Sequence, residues 1–292
     1  MNQSLATGAS PDKLKKGISE IEQLHNSAPA KQLSIIIPSF NDARIGEAIA
    51  SVRKFDNSSS VRLIVIDGGS NLDIIAIIKR SLQPGDYFIS ERDKGIFDAL
   101  NKGLLVCDSE FVGWLGADDL FTDQICASEV IDALKTHDLF VAATAMVQDG
   151  RVTRLTHSLP SKWRGASLGL HNPHYSTFGR AALLKSEKFD LSHIAADIEY
   201  FLRLFDQKPR VAVTPLVATL QGAGGFSNSS FRKTLQVNTA VFHTYRARTN
   251  FLFGAFAVTL KLGYKAWSLI YYKIFNCSAE KLMEKQHLHK KA

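Results

Sequence analysis

The chain has 292 residues, 45% hydrophobic and 22% charged, a globular composition with length for one large domain or a domain plus an extension, which excludes disorder of the whole. Its three cysteines, Cys107, Cys126 and Cys277, lie far apart without a CxxC pair, which argues against a zinc site or disulfide framework and for a reducing cytoplasm. The net charge of +7 is not spread as a nucleic-acid partner would require: from Arg232 onward eleven Lys and Arg accompany two acids, a net +9, so the first 231 residues sum to −2.

Residues 1–30 carry no apolar stretch behind a basic start, as a secretory signal would, and read as a polar lead-in with one short helix over Lys13–Leu24. The first strand follows at Leu33–Pro38, LSIIIP, an unbroken apolar run suited to a strand covered on both faces of a parallel sheet. Over 43–55 the spacing of Ile45, Ala48, Ile49 and Val52 predicts a helix. Val61–Ser70, VRLIVIDGGS, then supplies a second strand with its loop and completes a βαβ unit. The alternation continues with a helix over Leu72–Ser81, a strand near Tyr87–Ser90, a helix over Ile96–Val106 and a strand over Glu110–Leu115. These strands run into the loops SFND, DGGS, ERDKG and GADD. In an open α/β sheet ligands gather beyond the carboxyl ends of the strands, so the loops should converge on one crevice. Farther on, the pattern predicts a strand or hairpin around Val141–Leu155, helices near Arg180–Ser186 and over Ala195–Phe205, a strand near Val211–Leu220 and a glycine-rich loop, GAGGFSNSS.

Phe251–Phe275 is long enough to span a bilayer, but Lys261, Lys265 and Lys273 interrupt it and fall within about 120° of arc at helical spacing. That favours a helix lying in the interface, with Tyr264, Trp267, Tyr271 and Tyr272 at headgroup depth. A helix packed on the protein's own body and a full span are the alternatives.

Several acids in the loops are candidates for chemistry. Asp67, in IDGGS, can accept from a base N–H or a ribose hydroxyl, and Gly68 and Gly69 let a ligand approach; the plainer role is a cap on the next helix. Asp118 and Asp119, in WLGADDL, repel each other at a strand end unless a cation compensates them, and a hard divalent ion shared with substrate phosphates is the usual remedy. In SERDKGIFDALNKG, Arg92, Asp93 and Lys94 lie in the loop while Asp98 and Asn101 share one helical face, an arrangement suited to a diphosphate or to an ordinary amphipathic surface. Asp197 and Glu199 open a helix, where an acid complements the dipole or, facing the crevice, serves as a general base. His174, in HNPHYSTF, is a candidate contact to donor phosphate or acceptor, or else a structural histidine.

In order and spacing these segments resemble the family-2 glycosyltransferases of GT-A fold from about Leu33 to Arg248: IIIPSFN, VIDGGS, SERDKGIFDALNKG, WLGADD, the histidine stretch, AADIEYFLRL and GGFSN. The Asp-Lys-Gly-Ile-x-Asp-Ala-x-Asn-Lys-Gly run is the most specific, and is similar to the subgroup that builds bacterial capsule, exopolysaccharide and O-antigen units. The resemblance implies an α/β fold, Rossmann-like, with a mostly parallel central sheet covered by helices on both faces. It implies a catalytic domain over 31–225 and a basic, amphipathic helical segment over 226–292. Pro38, Ser39 and Asn41 would line the nucleotide pocket; Asp67, beside Gly68, would meet the nucleobase; Asp93, Lys94, Asp98 and Asn101 would hold nucleoside and diphosphate. Asp118 and Asp119, matching the end of the family's Asp-x-Asp element, would bind Mg²⁺ or Mn²⁺, with Asp118 also on the donor. Asp197, the second member of a Glu-Asp pair, would be the base of an inverting transfer.

Two positions depart from the family: Gly116 stands for the first acid of Asp-x-Asp, and Ala196 for the glutamate of Glu-Asp. They leave open a catalytically inactive scaffold with the same fold. A sugar-phosphate nucleotidyltransferase is a weaker rival, because PSFNDAR lacks a glycine-rich triphosphate loop. The expected partners are a nucleotide-diphosphate sugar, a lipid-linked saccharide acceptor and an anionic membrane surface, with no nucleic acid; the expected location is the cytoplasmic face of the bacterial inner membrane.

Overall fold

A computed structural model describes residues 31–156, 174–192, 194–222 and 231–248, and single positions between 252 and 271. The lead-in helix, the stretch from 157 to 173 and the glycine-rich loop after Gly222 lie outside the described residues. The elements are β1 (Leu33–Ser39), α1 (Ile45–Phe55), β2 (Val61–Asp67), α2 (Leu72–Ser81), β3 (Tyr87–Ser90), α3 (Ile96–Val106), β4 (Phe111–Trp114), β5 (Leu120–Phe121), α4 (Ala127–Thr136), β6 (Leu139–Gln148), β7 (Arg151–Thr156), β8 (Thr177–Arg180), α5 (Ala181–Lys185), α6 (Ala196–Asp206), β9 (Val211–Gly222) and α7 (Phe231–Arg248). A single 3-10 turn, His174–Ser176, leads into β8.

One nine-stranded sheet runs β3-β2-β1-β4-β8-β6-β9-β5, with β7 paired to β6. β1 to β4 are mutually parallel, as the continuous apolar runs predict. Register places Ser39 opposite Asp67 and Asp67 opposite Ser90, so the ends of three strands form one row. Side chains alternate across the sheet with period two. Leu33, Ile35, Ile37, Leu63 and Val65 pack with α1, α2 and α4, whereas Ile36, Ile64 and Ile66 pack with α3, α5 and α6. Both faces are therefore covered.

Most elements fall where periodicity places them. Three, β8, β5 and α4, differ from the expectation. Thr177–Arg180 is a strand, running antiparallel between β4 and β6, where the sequence predicts only the helix behind it. It is four residues long and its Thr177, Phe178 and Gly179 are buried, so it is too short to show alternation. The chain after the Asp118–Asp119 loop forms β5, two residues paired with β9, before α4 begins at Ala127. α7 lies against the outside of α6, with Val241 and Tyr245 packing on Ala195, Ile198 and Leu202.

Candidate active site

The first two loops are fastened together. Asn41, in the left-handed region at φ 49°, donates its backbone N–H to Ser70 Oγ at 2.7 Å and accepts at its side-chain oxygen from the Asn71 N–H at 2.9 Å. Pro38 and Ser39 are buried at the end of β1, and the Ser39 hydroxyl has no partner among the described residues. Between them and Asn41, Phe40 stands 64% exposed; an unburied aromatic at the mouth of the crevice is a feature that pattern reading missed.

Asp67 is fully buried. Its oxygens accept from the Gly69 and Ser70 N–H groups at 3.1 and 2.9 Å, from Ser90 Oγ at 2.7 Å and from Ser70 Oγ. Three of these donors fall on Oδ2 and one on Oδ1, so Asp67 organises the loop while Oδ1 keeps room for a further donor. Beside it, Gly68 admits Asp93: a Cβ at residue 68 would lie 2.8 Å from Asp93 Oδ2. Asp93 is half-buried, with Oδ1 accepting from the Gly95 N–H at 2.9 Å. Burial raises its carboxyl above the usual value, the Gly95 N–H and Lys102 oppose that, and the charges of Asp98 and Asp67 reinforce it.

The rest of the Ser90–Gly103 cluster is largely occupied with itself. Asp98 accepts from the Lys94 N–H at 3.1 Å and pairs with Lys102, which also meets Glu91 at 2.7 Å. Asn101 clamps the backbone of Phe189, donating to its carbonyl at 2.9 Å and accepting from its N–H at 3.0 Å. The helical spacing that suggested a diphosphate face thus gives Asp98 and Asn101 scaffold partners; Lys94 remains exposed beside them.

The Asp118–Asp119 loop has a different character. Asp119 is 3% exposed and accepts from Gln221 Nε2 at 3.3 Å. Its carboxylate folds back over Gly116, where a Cβ would lie 2.5 Å from Oδ2. Burial, reinforced by the Asp118 charge, pushes the Asp119 carboxyl up to about 7. Among the described residues no three His, Cys, Asp or Glu side chains gather around a common point. The donor set is therefore two adjacent carboxylates, hard and oxygen-only, compensated in part by the Arg44 guanidinium 3.5 Å from Asp118 Oδ2 and incomplete by themselves. It fits a Mg²⁺- or Mn²⁺-type ion that completes its shell with substrate oxygens.

The third side of the crevice is aromatic. Trp114, at the end of β4, donates its Nε1–H to the His174 carbonyl at 2.6 Å. Ser176 bonds Thr144 Oγ1 and Thr219 Oγ1, both at 2.6 Å, fixing the 3-10 turn to β6 and β9. The His174 ring lies among Trp114, Tyr175, Phe189 and Phe201, its Nε2 buried without a partner among the described residues. Burial pushes its pKa down to about 4 against the opposing pull of Asp197, so it is neutral at pH 7. Burial raises the Tyr175 hydroxyl well above its ordinary value, and Asp119, Asp118 and Asp197 all add to that. The charges of all three acids therefore act on one phenol, which couples α6's first turn to the β4 loop electrostatically.

In that turn the two acids separate by partner. Glu199 pairs with Arg203 at 2.7 Å, and Arg203 also binds Glu187 at 2.7 Å. Asp197, half-buried, makes no hydrogen bond or ion pair among the described residues. Ala196 is fully buried in the cluster that holds Trp114, Tyr200 and Phe201, where a glutamate would bury its charge in an apolar setting.

The family whose pattern matches this sequence is Glycosyl transferase family 2, over residues 34–196. The chain belongs to that family. It is 31% identical over 184 residues to an uncharacterized glycosyltransferase of Mycobacterium tuberculosis, covering 61% of this chain and 69% of the relative. It is also 28% identical over 229 residues to a PGL/p-HBAD biosynthesis glycosyltransferase of Mycobacterium bovis, covering 72% and 86%. Solved structures share the fold at low identity. S. aureus TarS in complex with UDP-GlcNAc superposes with a TM-score of 0.57 at 17% identity, over 79% of this chain and 71% of that one. The Pyrobaculum calidifontis mannosyltransferase PcManGT, solved with GDP-Man and Mn²⁺, gives 0.56 at 14%, over 90% and 81%. The glycosyltransferase's α/β sheet is thus the GT-A architecture, curled and mostly parallel, that the family resemblance implies.

Proposed function

We propose that this glycosyltransferase moves a sugar from a nucleotide-diphosphate donor to a saccharide acceptor with inversion, in the assembly of a lipid-linked surface glycan. The observation that carries it is the half-buried Asp197 carboxylate, which has no side-chain partner among the described residues and whose charge, like those of Asp118 and Asp119, raises the Tyr175 hydroxyl. In this reading Phe40 stacks on the nucleobase, with Ser39, Asn41 and Asp93 around the nucleoside. Asp118 and Asp119 hold Mg²⁺ or Mn²⁺, which supplies positive charge to the departing diphosphate. Asp197 accepts the proton of the acceptor hydroxyl as its oxygen attacks the anomeric carbon opposite the leaving group. Neutral His174 and Tyr175 wall this space against water.

A thermal-shift panel of UDP-, GDP- and dTDP-sugars with Mn²⁺ tests the donor: a ligand at 100 times its Kd adds roughly 2.7 kcal/mol of stability. Failure of all of them to shift Tm would remove the reading. The panel should depend on pH. Asp119 has a folded-state value of about 7 against 3.8 ordinarily, so the fold holds that proton more tightly than the unfolded chain does. Stability from this group therefore falls as pH rises from about 4 to about 7, and a cation must displace the proton below that. Mn²⁺ should raise Tm more at pH 8 than at pH 5.5; an equal rise at both values would separate Asp119 from the ion.

Membrane attachment belongs to the same proposal. No helix among the described residues is long and apolar enough to cross a bilayer. In the tail, Val258 packs on the cluster shared by α6 and α7 while Leu252, Phe256, Leu262, Trp267, Ile270 and Tyr271 are exposed; at helical spacing these six fall within about 180° of arc. That apolar face, within a segment of net +9, suits an anionic leaflet, where each cation near the surface is worth roughly 1 kcal/mol. Deleting 249–292 should abolish co-sedimentation with phosphatidylglycerol vesicles while leaving donor-induced stabilisation in place. Equal sedimentation of the shortened chain would refute the attachment.

A further inference from the structure

Arg44 was not among the residues that the sequence pattern singled out, yet its guanidinium reaches across the crevice. It precedes α1, and its Nε and Nη2 donate to Asp42 at 2.9 and 2.5 Å. Nη2 also lies 3.5 Å from Asp118 Oδ2, with the arginine side chain 54% exposed. Nη1 comes within 3.5 Å of where a Cβ on Gly222, at the end of β9, would stand. Asp42 therefore fixes one edge of the planar fork, and the two N–H groups of Nη1 have no partner among the described residues.

The charge around it asks for such a group. Asp42, Asp93, Asp118 and Asp119 all face the crevice loops, and a diphosphate brought there meets acids unless cations intervene. Lys102 is held by Glu91 and Asp98, which leaves Arg44 on the β1 loop, and Arg92 and Lys94 on the β3 loop, as the exposed cations beside the crevice. We propose that Arg44 is a binding residue for the donor diphosphate, its Nη1 edge donating to a phosphate oxygen while Asp42 holds the plane. The proposal rests on the donor reading above and deepens it. A guanidinium presents a pre-oriented pair of donors that an ammonium lacks, so it complements any divalent ion held by the two aspartates.

The test uses the full chain and its Arg44→Gln and Arg44→Lys variants, titrated with UDP, GDP and dTDP by calorimetry, in Mn²⁺ and again in EDTA, with the matching nucleosides as controls. Arg44→Gln should weaken the diphosphate that binds by about tenfold or more in both conditions, the weight of one charge-assisted hydrogen bond. Nucleoside affinity and Tm should stay within error, and Arg44→Lys should recover part of the loss. Unchanged diphosphate affinity in Arg44→Gln would overturn the role of Arg44 alone. A wild-type chain that binds none of the three diphosphates would overturn the donor reading and this proposal together.

Discussion

Asp197→Asn is expected to lower kcat by roughly 10²–10⁴-fold, the usual weight of a positioned general base, while the donor Kd changes less than twofold. The expectation follows from how α6 divides its first-turn acids. Glu199 is neutralised by Arg203, itself braced by Glu187, so its charge is consumed inside the helix and its neighbour. Asp197 has no such partner among the described residues, and asparagine keeps its shape while removing the proton acceptor. Glu199→Gln is the matched control: it should change Tm more than turnover, because it breaks a salt bridge rather than a proton path. Single-turnover transfer with the donor found by thermal shift separates binding from chemistry. Unchanged single-turnover rates in Asp197→Asn would remove this residue from the reaction.

Period and punctuation made the first half of the fold legible. Buried parallel strands cannot hide their unbroken apolar runs, and each run ends at a polar loop, so β1 to β4 and the crevice they share could be read directly. β8 could not, because four buried residues pressed against a following helix carry no period of their own. In the site, residue type located the acids but not their partners. Asp67, Asp98 and Asn101 have the spacing of ligand contacts, and in the folded chain that same spacing satisfies the N–H groups of Ser70 and Lys94 and the backbone of Phe189. Conversely Arg44 and Tyr175 gain their place only from tertiary packing: one by reaching from the β1 loop to the β4 loop, the other by feeling the charges of acids 78 positions apart, at 119 and 197. Sequence distance conveys nothing about either.

Gly116→Asp restores the acid that the family's Asp-x-Asp element carries at this position, yet it is expected to damage the enzyme. A Cβ at residue 116 would meet Asp119 Oδ2 at 2.5 Å and Asp118 Oδ1 at 3.0 Å, so the new side chain must evict the Asp119 carboxylate from its buried seat. Overpacking of that kind costs about 1–3 kcal/mol, and a third carboxylate adds like charge where burial already holds Asp119 up to about 7. The physical inference is that Asp119, folded back over the glycine, occupies the place the missing acid would have taken. On the ion-holding role proposed for it, Asp119→Ala alone should then cost about a hundredfold in activity, the upper end of what loss of even an outer-shell partner costs. In the double variant Gly116→Asp with Asp119→Ala the two losses should not add: space freed by the alanine receives the new carboxylate, and the coupling should exceed about 1 kcal/mol, as neighbours sharing one site show. Transfer rate and the Mn²⁺ concentration for half-maximal Tm shift would both report it. Strict additivity across that cycle would mean that Gly116 and Asp119 do not compete for one position.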